Sequence, residues 1–230
     1  MLASMRDLGH DLPPFDLSVE GVTSLSVDPH KYGYTAKGAS ALLWADADYR
    51  KHQYFGFDDW PGGVYAGPTM AGTRPGAPIA AAWAVMQKFG REGYLELAET
   101  TVETTEELLE RAPGIDGLRV VSDPDMTIFA LESTDPELDV YAVHGELTEK
   151  GWGLGRQQEP RSIHMSVMYH HRDVVDEFVT DLEDAVETVR ETEVEDDLAP
   201  MYGMNAEMAD DGDFAALATE LLNDAAYQFD

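Results

Sequence analysis

The 230-residue chain has no cysteine, which excludes disulfides, thiolate metal ligands and a cysteine nucleophile. Basic residues are scarce: 15 Lys and Arg stand against 45 Asp and Glu, a net charge of −30, and only five residues are lysine. A field of that sign repels phosphate backbones and anionic lipid, so neither nucleic acid nor a membrane surface is expected as a partner. Also missing is any apolar run near the ~18 residues of a spanning helix. With no basic-then-apolar leader at its start, the chain is expected in the cytoplasm. What is present is enough for folding: 43% hydrophobic and 10% aromatic residues exclude a disordered chain and supply a sizeable core.

The acid is unevenly spread. Residues 21–90 hold five acids and six bases, a net of +1, while the other 160 residues hold 40 acids and nine bases. Blocks such as Glu103–Glu110, Asp181–Glu187 and Glu191–Asp197 fall where helix surfaces are expected. Acid excess together with lysine poverty reads as adaptation to high salt, where screening removes the self-repulsion. The near-neutral window is where a site for an anionic ligand is expected.

Periodicity predicts an α/β protein. Met1–Asp16 reads as the end of a helix and a Pro-Pro loop, Val22–Val27 and Ala39–Trp44 as strands, and Asp46–Lys51 as a helical turn. The Gly-, Pro- and aromatic-rich stretch Gly56–Pro78 holds too many breakers for regular structure. Its length marks it as functional rather than a simple connection. A helix follows from Ile79 to about Arg111, with a break near Gly90 and Gly93. Its candidate buried positions are Trp83, Met86, Phe89, Leu95, Leu97 and Leu108. Pro113-Gly114 ends it, and the domain boundary is placed there. Beyond it, strands are predicted at Leu118–Ser122, Met126–Leu131 and Ile163–Met168. Helices are predicted at Val140–Lys150, Val174–Arg190 (strongly amphipathic) and Phe214–Tyr227, with an acidic linker over Glu191–Asp197.

The most informative stretch is Ser24–Ser40, SLSVDPHKYGYTAKGAS. Lys31 follows an apolar strand, adjoins His30 and is flanked by small residues that let a planar ligand approach. A lysine that forms an imine must be neutral when it attacks, through burial or a neighbouring cation; His30 and Lys37 are the candidates for that field. By spacing alone, a surface lysine beside a histidine is the better fit. Ser26–Gly38 resembles the Schiff-base segment of the pyridoxal-phosphate (PLP) decarboxylase group, within the aspartate-aminotransferase fold. Among these it is most similar to the sphingosine-phosphate lyases, with their Asp-x-His-Lys-Tyr-Gly run followed by Lys-Gly. Asp59–Gly76 (DWPGGVYAGPTMAGTRPG) resembles the same family's Gly-rich loop. Gly151-Trp152, Ser162-Ile163-His164 and Met201-Tyr202-Gly203-Met204 resemble its small domain and tail.

The resemblance implies a carbon–carbon lyase acting on an amine substrate with PLP as cofactor; the alternative is an amino-acid decarboxylase, for example of tyrosine, glutamate or aspartate. It implies that Lys31 bonds the cofactor, that His30 contacts its phosphate, and that Gly72 and Thr73 reach the phosphate from the second subunit of a homodimer with shared active sites. Thr73 replaces the family's usual Ser and keeps the hydroxyl. Lys37 matches a second active-site lysine and Arg74 the loop's arginine, while Tyr34 and Tyr65 are candidates for pocket lining. Residues 1–112 would be a partial PLP-binding large domain, and 113–230 a small C-terminal α/β domain with a terminal helix.

The family's pyridine-nitrogen Asp, its phosphate-gripping Gly turn and its ring-stacking His would all lie upstream of Met1, and neither Asp16 nor Asp28 stands where it would substitute. The chain is therefore expected to be the C-terminal half of a lyase: an incomplete product, or one half of a split enzyme needing a separate N-terminal half. A non-catalytic fragment is the reading from a different class. The segment Gly155–Arg161 (GRQQEPR) departs from the more apolar lyase sequence, which weighs against a long-chain substrate. No metal site is expected: His170 and His171 are read as adjacent residues at a strand end that point apart, His164 as a packed histidine, and Asp58-Asp59 as turn residues.

Overall fold

The structure, a computed structural model, describes residues 1–69 and 72–192. The expected linker beyond Thr192, the Met201–Met204 motif and the terminal helix over Phe214–Tyr227 lie outside the described residues. The chain divides into two compact units, 1–100 and 101–230.

In the first unit, helix α1 (Leu2–Asp7) is followed by strands β1 (Ser24–Val27) and β2 (Ala41–Trp44). The two strands pair antiparallel, from Ser24 opposite Trp44 to Val27 opposite Ala41. Most of their residues are exposed on both faces, and the two strands form a sheet of their own. Helix α2 (Ala47–Arg50) begins where the Asp46 carboxylate accepts the backbone N–H groups of Asp48 and Tyr49, at 2.7 and 3.0 Å. This side chain satisfies donors that a first helical turn leaves open. Strands β3 (Phe55–Phe57) and β4 (Tyr65–Gly67) form a second antiparallel pair. Regular structure was not expected there. The Gly and Pro residues are gathered in the connection, leaving Phe55 and Tyr65 to pack ring against ring at 6.0 Å.

Helix α3 (Ala77–Arg111) carries a kink at Gly90, whose φ of 58° and ψ of −167° are not helical. A residue without a Cβ adopts that backbone readily. Of the positions expected to be buried, Leu97 and Leu108 are, at 9% and 5% exposure, whereas Trp83 and Met86 are 65% and 43% exposed. Helical spacing identifies an apolar face, but not whether the same unit supplies the layer that covers it.

The second unit holds the core. Strands β5 (Leu118–Val120) and β6 (Ile128–Ser133) are followed by helix α4 (Val140–Glu149), strands β7 (Gly155–Gln157) and β8 (Ser162–Ser166), and helix α5 (Val175–Glu191). The sheet order is β5-β6-β8-β7, antiparallel throughout. Strand β7 (GRQ) carries no hydrophobic alternation and was not foreseen. The stripe Val175, Phe178, Val179, Leu182 and Val186 on α5 is fully buried, against Leu131, Val143, Leu147 and Ile163 in one cluster. Asp176 and Glu177 occupy the first turn of α5, where the helix dipole favours negative charge.

His170 and His171 lie in a 3-10 turn (Tyr169–Val174), and their rings meet edge to face at 4.2 Å. They do not point apart. The Met168 N–H donates to His171 Nδ1 at 3.0 Å, which folds that ring back onto its neighbour. Burial, with His170 adding to it, lowers the His171 pKa below its ordinary value. Among the described residues no group of three His, Asp or Glu is placed to hold a metal ion.

Candidate active site

The Lys31 segment is the 13-residue connection between β1 and β2, and it is not a loose loop. Pro29 fixes the first bend, closed by the Lys31 N–H donating to the Asp28 carbonyl at 3.1 Å. A second bend follows, from the Tyr34 N–H to the Lys31 carbonyl at 3.1 Å, and the Thr35 N–H returns to the Pro29 carbonyl at 3.3 Å. Tyr34 holds a left-handed backbone with φ of 54°. Gly33 packs directly on Pro29: a Cβ there would meet the Pro29 carbonyl oxygen, and would lie 2.9 Å from its Cα. The Gly of the Lys-Tyr-Gly run is thus required by close approach of backbone to backbone. From helix α3, the Tyr94 hydroxyl donates to the Gly33 carbonyl at 2.9 Å. The Phe89 ring bridges Tyr34 and Tyr94, with centroids 6.5 and 5.5 Å away. Burial raises the Tyr94 pKa, so its hydroxyl keeps its proton and remains a donor.

On this frame His30 and Lys31 share one turn. The Nδ1 atom of His30 is buried and has no hydrogen-bond partner among the described residues. The Lys31 side chain is 64% exposed, and its ammonium lies 3.0 Å from Asp28 Oδ2. The cationic neighbour expected from His30 and Lys37 is therefore not what its amine contacts; a carboxylate is. Asp28 in turn accepts a hydrogen bond from the Ser40 hydroxyl. That bond first, and the Lys31 bond second, hold the Asp28 carboxyl below its ordinary pKa. Lys37 is exposed further along the connection.

Gly72 and Thr73 lie between β4 and α3, exposed, with Gly72 in a left-handed backbone (φ of 71°) and open space where a Cβ would stand. Among the described residues no hydrogen bond joins Thr73 to His30 or Lys31. Arg74 turns back to the Thr69 hydroxyl at 3.2 Å, and Tyr65 packs on Phe55. The sequence points to no role for Ser40 or Tyr94, and from it Asp28 is weighed only as a substitute for the pyridine-nitrogen acid. An acid three residues before the lysine was the available signal for Asp28; nothing in the sequence marks Tyr94, 63 positions downstream of Lys31.

No family model matches the chain. It is 44% identical over 214 residues, 92% of its length, to sphingosine-1-phosphate lyase of Arabidopsis thaliana. The solved structure of sphingosine-1-phosphate lyase from Burkholderia pseudomallei superimposes with a TM-score of 0.75 at 42% identity, over 81% of the chain. Glutamate decarboxylase of Lactobacillus brevis shares the fold, with a TM-score of 0.65 at 21% identity over 78% of the chain and 43% of that protein. The chain spans 39% of the length of the Arabidopsis relative and 42% of the Burkholderia one. Over the part of their length that it spans, the chain is a homologue of the sphingosine-1-phosphate lyases and has the fold of the PLP-dependent fold-type I enzymes.

Proposed function

We propose that the chain is the C-terminal portion of a PLP-dependent lyase that cleaves a carbon–carbon bond of an amine substrate. Lys31 is the residue that bonds the cofactor, and residues 1–112 and 113–230 are the large-domain portion and the small domain. The observation that carries this reading is the His30–Lys31 turn. It offers an exposed amine and, one residue away, a buried ring nitrogen lacking a partner among the described residues. A phosphate group gives that nitrogen the acceptor it lacks, in a charge-assisted bond. The Thr73 hydroxyl and the open backbone at Gly72 supply further donors of the kind a phosphate takes. The near-neutral charge of residues 21–90 favours an anion there. Bound PLP would supply an electron sink for the bond that breaks. Lys31 would hold the cofactor and, when its amine is free, would hold or move a proton beside it, with Lys37 as the second lysine of the site.

The same reading includes assembly, as a homodimer and with an N-terminal half. Of the 15 large hydrophobic side chains exposed among the described residues, 13 fall between Val27 and Met86, including Leu42, Phe57, Trp60, Val64 and Trp83. Apolar exposure concentrated in one stretch of the chain supports a surface made to be covered. Cytoplasmic location and adaptation to high salt complete the proposal. No described helix is long and apolar enough to cross a membrane.

The test is addition of PLP to the purified chain, alone and with a separately produced polypeptide corresponding to the remainder of the relatives. A cofactor absorbance band that requires Lys31 is expected, and is absent in Lys31→Ala. Its absence from the wild-type mixture refutes the assignment. Release of aldehyde rather than carbon dioxide by the reconstituted protein distinguishes the lyase from an amino-acid decarboxylase.

A further inference from the structure

We propose that Asp28, anchored by Ser40, is a positioning residue for Lys31: its carboxylate holds the Lys31 amine whenever that amine is not bonded to cofactor. The inference rests on the reading of Lys31 given above. Asp28 is the first residue past β1 and Ser40 the last before β2. Because Val27 pairs with Ala41, Asp28 and Ser40 face each other on the next rung, at the base of the connection that carries Lys31. The Ser40 hydroxyl takes one carboxylate oxygen, Oδ1, and leaves Oδ2 for Lys31 Nζ at 3.0 Å. Lys31 is thereby bonded to Asp28 twice, through its backbone N–H and through its amine.

The molecule contains its own control. Lys51 pairs with Asp48 at the same spacing of three residues and the same 3.0 Å, and its side chain is as exposed as that of Lys31, 61% against 64%. The acids differ. Asp48 is 89% exposed, whereas Asp28 is 26% exposed and hydrogen-bonded by a second residue. A flexible surface pair gives up in side-chain entropy most of what it gains in attraction. A carboxylate already fixed by a neighbour has less freedom to lose, so the Asp28 pair is the more persistent. The nearby charges act in the same direction: Lys31 and His30 both favour the ionised form of Asp28. The consequence is a resting place for the nucleophile. Asp28 would hold the amine in competition with a cofactor, and would hold it again whenever it is free.

The experiment is competitive acylation of the 230-residue chain by an amine-directed reagent, without cofactor, with the rate at each lysine read by mass spectrometry after digestion. Lys31 is expected to react about 1.5- to 5-fold more slowly than Lys51. Asp28→Asn brings Lys31 to the Lys51 rate, Ser40→Ala moves it part of the way, and Asp28→Glu restores protection; circular dichroism verifies that each variant is folded. Equal rates at Lys31 and Lys51 in the wild type, or no change in folded Asp28→Asn, overturn the proposal. Borohydride fixation of PLP separates this inference from the one it rests on. A Lys31 that takes PLP but is no slower to acylate than Lys51 overturns the role of Asp28 and keeps the cofactor reading. A protected Lys31 that takes PLP in no variant, even with the remainder of the lyase present, overturns the cofactor reading and leaves the protection in place.

Discussion

Replacing Gly33 by Ala is the sharpest perturbation of the candidate site, because it alters one carbon atom and no polar group. The added Cβ would sit against the Pro29 carbonyl oxygen and 2.9 Å from Pro29 Cα, closer than non-bonded carbons tolerate. The obstacle is backbone, so no side-chain rotation relieves it. Moving the Pro29 carbonyl away costs its bond from the Thr35 N–H, and moving Gly33 instead costs the bond from the Tyr94 hydroxyl. One or two hydrogen bonds are therefore lost, at about 0.5–1.5 kcal/mol each. Against this, Ala restricts the unfolded chain and returns about 0.4–1 kcal/mol. The net local destabilisation is about 1 kcal/mol, with an upper end near ~2.5 kcal/mol. Amide hydrogen exchange reads such local opening directly. The Tyr34 and Thr35 amides should exchange about fivefold to fiftyfold faster in Gly33→Ala, while amides of β6 and β8 keep their wild-type rates. Tyr94→Phe should give a smaller change at the same amides, about twofold to tenfold, from the one bond it removes. Unchanged exchange at Thr35 in Gly33→Ala would refute the claim that this turn is held by backbone contact.

Other expectations concern the second unit and the charge. Leu182 on α5 is fully buried within the core cluster, so Leu182→Ala should lower the unfolding free energy by about 2–5 kcal/mol in urea titrations. His171, whose pKa is lowered by burial, stabilises the fold while it is neutral. That contribution is complete above the unfolded value near 6.5 and is lost as pH falls through the lower folded value. His171→Gln keeps an acceptor for the Met168 N–H but does not titrate, so its melting temperature should fall less than that of the wild type between about pH 7 and 5. The net charge of −30 should make melting temperature rise as salt shortens the Debye length from ~10 Å at 0.1 M to ~3 Å at 1 M. A flat or falling profile counts against salt adaptation.

Local signals determined much of this protein in advance. The α5 stripe, the Gly90 break and the strand pair flanking Lys31 were legible because periodicity and backbone freedom are properties of neighbouring residues. The exposure of Trp83 and Met86, the hairpin inside the Gly-rich stretch and the unforeseen strand β7 were not. Each depends on what a segment packs against or pairs with, and that is not a property of neighbouring residues. The same division holds at the site. Composition and motif drew attention to a near-neutral window around Lys31, while only the tertiary structure brought Asp28, fixed by Ser40, to its amine and Tyr94 to the turn that carries it. Those contacts join residues from three to 61 positions apart, and their distances are set by the fold that spacing alone does not determine.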